Sequence, residues 1–458
     1  MLKRKLLVWI LIFLGTTSSM AQLSTTYPFY KDDTVLRKSY YDQSVKKKSQ
    51  LLASVDKANA KEYKTIYNSQ FEGINELWKS SRPVTYAGAH NYLQAIVQKV
   101  IAVNPALKGT DARVVFSRDW WPNAVSMGDG TIAINAGLVM YMNNEAELAF
   151  VVCHELAHYY LEHTPKAIKK YIETTTSEAY QAELKRLSKL QFGVNSQLEK
   201  LAKTTAFNSR RHSRENEAEA DRQAFIFLKN TGYDCNAIIT CLQMLDKVDD
   251  SLHIYPPLNI EQTLNFKSYP FKKKWIQSET SIFSAVTNSS DLSDKEKDSL
   301  KTHPDCARRI TLLADSVKGT LGNKKFLIDE QLFGKLQKDF FMEVTEECYR
   351  EQKLGRNLYN NLLLLQANQN TAIAAYSISR DFNEMFEMQK DHKIGLAVDN
   401  ESKAYPDDYN MLLRMIGRMR LSEIANLNYQ FCLQQLPAMK DYPGFEEQMQ
   451  KAKLYSQE

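Results

Sequence analysis

The sequence is short of several things, and each shortage excludes something. Only six cysteines occur in 458 residues, none of them in a CxxC pair. A disulfide scaffold and a thiolate zinc knuckle are therefore excluded. Cys235 and Cys241 could bridge a short loop, and buried free thiols are the other reading. Net charge is slight. It is +5 overall, and Lys3, Arg4 and Lys5 lie in a segment expected to be removed, leaving a mature chain near neutrality. No field of one sign remains to attract nucleic acid. Glycine (16) and proline (12) are too few for a collagen-like chain, and a hydrophobic share of 43% is too high for a disordered one. After the N-terminus no apolar run approaches the ~20 residues that cross a bilayer, which excludes a polytopic membrane protein.

What is present begins with an address. Lys3 to Lys5 is basic, Leu6 to Leu14 is an apolar run of nine, and Ser19-Met20-Ala21 fits signal cleavage before Gln22. Nine apolar residues are too few to span a membrane, and no cysteine adjoins the cleavage point to accept a lipid. Residues 1–21 are expected to be a signal peptide, and the mature chain to be exported, to a periplasm or outside the cell, with no integral membrane segment.

At ~150 residues per domain the length allows two or three domains. Residues 22–107 read as helical, with Leu93, Ile96, Val97, Val100 and Ile101 at helical spacing. Three short extended runs follow at 113–116, 124–127 and 131–135, the last two flanking a Gly128-Asp129-Gly130 hairpin turn. Ile132 and Ile134 alternate with Thr131, Ala133 and Asn135 as in a half-buried strand. Asn144 and Glu147 suit a capping box at the start of a helix running to His163, where Thr164-Pro165 would stop it. Residues 166–212 are helical and charged, Ser213 suits a further N-cap, Gly232 a helix end, and 250–300 are loop-rich. The chain from about 319 to 458 is helical again, with too little periodicity to define a repeat.

Inside the helix after Asn144 lies His154-Glu155-Leu156-Ala157-His158. Residues i and i+4 share a helix face, so both imidazoles can aim at one zinc ion. Glu155 can take a proton from a zinc-activated water, which then attacks a peptide carbonyl. A third ligand is needed, and two candidates compete. His163 lies too early for the metzincin arrangement, and its other reading is an exposed histidine near a helix C-terminus. The acidic run Glu215, Glu217, Glu219, Asp221 offers Glu217 and Asp221 at i and i+4, a ligand with a carboxylate behind it to fix an imidazole tautomer. Spacing alone leaves Glu215 and Glu219 open.

HELAH at 154–158, EAEAD at 217–221, Thr302-His303-Pro304 with Arg309-Ile310, and the stretch Asn123-Ala124 to Glu147-Leu148 together resemble one family. It comprises the zinc metallopeptidases typified by HtpX, the CAAX prenyl protease and BepA. The resemblance covers about residues 90–315. It implies an α+β, mainly α protein: a zincin-like metallopeptidase core with a small antiparallel sheet and a helical C-terminal extension. Taken with the signal and the helical patterns read above, it divides the chain into the signal at 1–21, an N-terminal helical segment at 22–89, the metallopeptidase domain at 90–318 and the extension at 319–458. It selects Glu217 over its neighbours and implies one zinc held by His154, His158 and Glu217. Glu155 is then the base, and Asp221 stands behind a ligand. His303 is implied to lie near the metal, beside the oxyanion or across the open site. The strand of Thr131, Ile132, Ala133, Ile134 and Asn135 is implied to be a sheet edge that pairs with an extended substrate. Unlike HtpX and the CAAX protease, this chain has no spanning helices beyond its signal, so prenyl-protein processing in a membrane is not implied. The expected function is a metalloendopeptidase that cleaves unfolded or misassembled envelope polypeptides, with the C-terminal helices as an adaptor for an envelope partner. The rival is a zinc-holding chaperone or assembly factor with little proteolysis.

Overall fold

The computed structural model describes residues 30–188, 214–251, 256–277, 306–320, 322–402 and 405–458. The signal segment, the Ser213 cap and His303 lie outside the described residues. Helices α1 (Thr34–Ser54) and α2 (Ala60–Lys79) open the described chain as a hairpin. Asp33 caps α1 by accepting from the N–H groups of Val35 and Leu36. Tyr67, Phe71, Ile74 and Trp78, spaced four, three and four apart, give α2 one buried stripe. Next come β1 (Pro83–Val84), α3 (Ala87–Val103), β2 (Arg113–Ser117), β3 (Ala124–Ser126) and β4 (Thr131–Asn135). Leu93, Ile96, Val97 and Val100 form the buried stripe of α3, as their spacing implies.

The strand order is β1-β2-β4-β3. The chain leaves β2, crosses to the far edge as β3, and returns through the Gly128-Asp129-Gly130 turn to insert β4 between them. β4 is thus parallel to β2 and antiparallel to β3, with Val125 opposite Ala133. The sheet is mixed rather than antiparallel, because a hairpin that folds back inward must lay its second strand alongside β2 in the same direction. Gly128 and Gly130 turn at φ of 84° and 97°, conformations a Cβ disfavours. Asp129 between them is buried and meets the buried Arg113 guanidinium at 2.8 Å.

This order corrects two expectations. Thr131, Ile132, Ala133, Ile134 and Asn135 form an interior strand, not an edge; the edge is β3. Nor is β4 half-buried, since Thr131 to Ile134 are all buried. Val114, Phe116, Ile132 and Ile134 face the main core with α3, while Val115 on the opposite face packs against Tyr67, Phe71, Ile74 and Trp78. The N-terminal hairpin covers the face that alternation assigned to water.

After α4 (Ala136–Val139) comes α5 (Glu145–Tyr160), whose residues 145–157 are all buried. Its start is fixed from several sides. The Asn144 side chain accepts from the Glu147 N–H at 3.2 Å, while the Glu147 carboxylate accepts from the N–H of Asn143 at 2.7 Å. Buried Glu145 accepts from the Tyr92 and Tyr233 hydroxyls and from the N–H groups of Leu327, Ile328 and Asp329. α5 ends at Tyr160, not His163. Glu162 takes a left-handed conformation (φ 56°), and α6 (His163–Thr176) starts with Pro165 in its first turn, where the missing N–H costs nothing. α7 (Glu178–Leu187), α8 (214–229), α9 (Asn236–Ser251), α10 (Ile260–Thr263) and α11 (Cys306–Val317) follow, and Gly232 (φ 86°) turns the chain after α8.

The remaining helices are α12 (Glu330–Arg350), α13 (Leu354–Gln366), α14 (Thr371–Lys390), α15 (Asp407–Arg418), α16 (Leu421–Met439) and α17 (Phe445–Tyr455). Phe333, Leu336 and Phe340 of α12 belong to the sheet's core, and Tyr349 near its end joins a second apolar cluster with α13 to α17. Arg118, buried after β2, pairs with Glu343 of α12 and with Asp32 at 2.9 Å. All six cysteines are buried and free, so Cys235 and Cys241 form no bridge.

Candidate metal centre

The last two turns of α5 carry His154, Glu155 and His158, and α8 crosses beneath them with Glu217 and Asp221. Ala220 and Ala224 on α8 are fully buried in the same core, and their small side chains let the helices approach closely. The Nε2 atoms of His154 and His158 lie 3.0 Å apart. Glu217 places Oε2 3.4 Å from the first and Oε1 3.4 Å from the second. A tetrahedral ion with ligands at about 2.0–2.1 Å sets its ligand atoms roughly 3.3 Å apart. The three donors therefore fit one small divalent cation, and they form the one such group among the described residues.

The electrostatics agree. Burial works against charge on His154, but Asp221 and Glu217 outweigh it and push its pKa up to about 10. Burial would also raise the Glu217 carboxyl, yet the two histidines and Arg309 hold it well below the usual carboxylate range. The pocket is thus built to receive positive charge. Asp221 Oδ1 lies 3.0 Å from His154 Nδ1, the ring atom turned away from the donor group. Arg309 of α11 clasps Asp221 with Nε and Nη2, both at 2.7 Å, and places Nη1 3.3 Å from Glu217. Against the pull of burial, Arg309 lowers the Asp221 pKa to about 2.

Glu155 is 7% exposed. Burial raises its pKa, and the neighbouring histidines and a hydrogen bond from the Ser126 backbone hold back part of the rise. It opens with His154, His158 and Glu217 onto a cavity of about 240 Å³, whose opposite wall is Ala124, Val125 and Ser126 of β3. The bonds Met127 N–H to Thr131 O and Asn135 N–H to Asn123 O set the ladder's alternation. Val125 therefore faces β4, and the main-chain groups of Ala124 and Ser126 point to the open side. Among the described residues no strand pairs with that side.

His154, Glu155, His158, Glu217 and Asp221 are thus brought together. Of the other acidic candidates, Glu219 stays outside the donor group. His163 is buried, not exposed, because the break at Glu162 turns it back under α5. Its Nδ1 lies 2.9 Å from Nδ1 of His158, and its Nε2 lies 3.3 Å from Glu219. Sequence reasoning missed the part played by Arg309, although the residue stood inside a motif it used. The Arg308-Arg309 pair on a short amphipathic helix gives no sign of which arginine turns inward or which carboxylate it will meet.

Two histidines and a glutamate on one buried helix, completed by a carboxylate from a second, define a zincin-type metallopeptidase. The chain belongs to peptidase family M48, whose model matches residues 88–317, just over half of its 458 residues. It is therefore a metallopeptidase, a hydrolase of peptide bonds in polypeptides, from a family that depends on zinc. A search of curated proteins finds no match. No helix of the described residues is long and apolar enough to cross a membrane.

Proposed function

We propose that the protein is an exported zinc endopeptidase that cuts extended segments of unfolded or misassembled envelope proteins. The observation that carries this reading is the convergence of His154, His158 and Glu217 beside Glu155, on a cavity bounded by an open strand edge. When bound, zinc supplies Lewis acidity, making a water easier to deprotonate and a carbonyl easier to attack. Glu155 takes the proton from the attacking water and returns it to the leaving nitrogen. Its carboxylate opens onto the same cavity as the donor group, which places it beside the attacking water. Asp221, held by Arg309, keeps His154 turned toward the donor group.

Substrate recognition moves from β4 to β3. The outward main-chain groups of Ala124 and the carbonyl of Ser126, whose N–H is given to Glu155, offer ladder bonds to an extended polypeptide. Main-chain pairing reads few side chains, which suits clients chosen for being unfolded. Export rests on the basic and apolar pattern of residues 3–21.

The test is metal analysis with a casein assay on the mature chain. Wild type should hold about one zinc per chain. Glu155→Gln should keep the zinc and lose about 100- to 10,000-fold in cleavage rate. Equal cleavage by both proteins would remove Glu155 from the mechanism. Cells carrying Glu155→Gln should accumulate particular envelope proteins; full complementation by the variant would favour the chaperone reading instead.

A further inference from the structure

We infer that His163 is a positioning residue for the metal site, acting with Glu219 to orient His158 as Asp221 orients His154. The inference rests on the metal-site reading above and goes one step outward from it. His158 turns Nε2 toward His154 and Glu217, so that nitrogen must offer its lone pair to a cation. The proton of the neutral ring then sits on Nδ1. Nδ1 of His163 is 2.9 Å away and accepts it. With Nδ1 of His163 used as an acceptor, its proton sits on Nε2, which faces the Glu219 carboxylate at 3.3 Å. Each ring thus fixes the tautomer of the one before it, and Glu219 anchors the chain of bonds.

The two histidine ligands are then supported in different ways. Behind His154 stands a buried carboxylate, Asp221, with side chain 2% exposed and clasped by Arg309. Behind His158 stands an imidazole 6% exposed on its side chain, ending on a carboxylate that is 53% exposed. His163 cannot serve as a ligand in this arrangement, because it meets the far side of the His158 ring from Nε2. The break between α5 and α6 brings it there: Leu161 and Glu162 separate the helices, and the left-handed Glu162 reverses the chain. The acidic run of α8 is divided in the same way, with Glu217 to the donor group, Glu219 to His163 and Asp221 to His154.

The experiment measures zinc affinity of the full mature chain by chelator competition, and the visible spectrum of the cobalt-substituted protein. His163→Ala should weaken zinc binding about 10- to 100-fold and shift the cobalt bands. His163→Asn, which keeps an acceptor close to the Nδ1 position, should recover most of the affinity and the wild-type spectrum. Glu219→Ala, at an exposed carboxylate that does not threaten folding, should weaken zinc about two- to tenfold. Wild-type affinity and spectrum in His163→Ala would overturn the inference. So would an equal loss in the Asn and Ala variants, which would reduce His163 to a packing residue. Should His163→Ala fail to fold, unchanged affinity in Glu219→Ala overturns it. A wild-type chain that binds no zinc would overturn the metal-site reading itself, a distinguishable failure.

Discussion

At the scale of single residues, Arg309 has the most to hold in place. It is 4% exposed and faces two carboxylates, Asp221 at 2.7 Å and Glu217 at 3.3 Å. Removing one partner of a buried charge cluster leaves the others uncompensated, at a cost of about 3–5 kcal/mol. Arg309→Leu should therefore lower the urea midpoint of the metal-free protein sharply and weaken zinc binding by loosening Asp221. A midpoint within error of wild type would mean the cluster is held by other groups. His154, Glu155 and His158 were legible in the sequence because the i, i+4 relation holds on any helix, whatever surrounds it. Glu217 was legible only together with Asp221 and the family resemblance. Arg309 and His163 were not legible, since their partners come from long-range packing and from one left-handed residue whose conformation no local rule required.

At the scale of elements, the stripe on α3, the three strand positions and the start of α5 could be read from periodicity and capping. Strand order could not. Whether a hairpin folds outward or inward leaves the same alternation along each strand, and the inward fold here transfers the edge from β4 to β3. The burial of β4 escaped for a related reason: the hairpin of α1 and α2, which packs on that face of the sheet through Val115 of the neighbouring β2, lies far away in sequence. The corrected edge makes a prediction at this scale. Proline at Ala124 removes an outward N–H at the first residue of an edge strand, a place where proline is tolerated. Ala124→Pro should leave zinc content and stability intact and raise KM for long peptides about two- to tenfold, the worth of one main-chain bond. Proline at Ala133, inside the ladder, should instead destabilise the sheet by about 3 kcal/mol or more. Unaltered KM in Ala124→Pro would show that substrates do not pair with this edge.

At the scale of the whole molecule, the export reading predicts that the mature protein begins at Gln22, which N-terminal sequencing of the chain from its native cells would check. Buried ion pairs outside the metal-binding group also link elements of the described chain. Arg118 ties α12 to the sheet side of the molecule through Glu343 and Asp32. Within α14, Arg380 is held by both oxygens of Glu346, at 2.7 and 2.8 Å. That leaves the adjacent Asp381 fully buried with little compensation. Its Oδ1 accepts from Asn357 at 3.1 Å, and its Oδ2 has no hydrogen-bond partner among the described residues.

Burial pushes the Asp381 carboxyl up to about 8 from an ordinary 3.8, despite the neighbouring Arg380. The folded protein therefore keeps this proton at neutral pH, while an unfolded chain releases it near pH 4. Below that value both states hold the proton and the group's contribution to stability is complete. As pH rises toward 8 the folded state alone stays protonated, and stability falls by about 1.4 kcal/mol per pH unit. Asparagine has the shape of the protonated acid and no proton to lose. Asp381→Asn should match wild type near pH 4 and gain on it steadily up to pH 8, as read from urea midpoints across that range. Parallel pH profiles for the two proteins would mean that Asp381 is ionised in the fold, and that its charge is balanced by Arg380 after all.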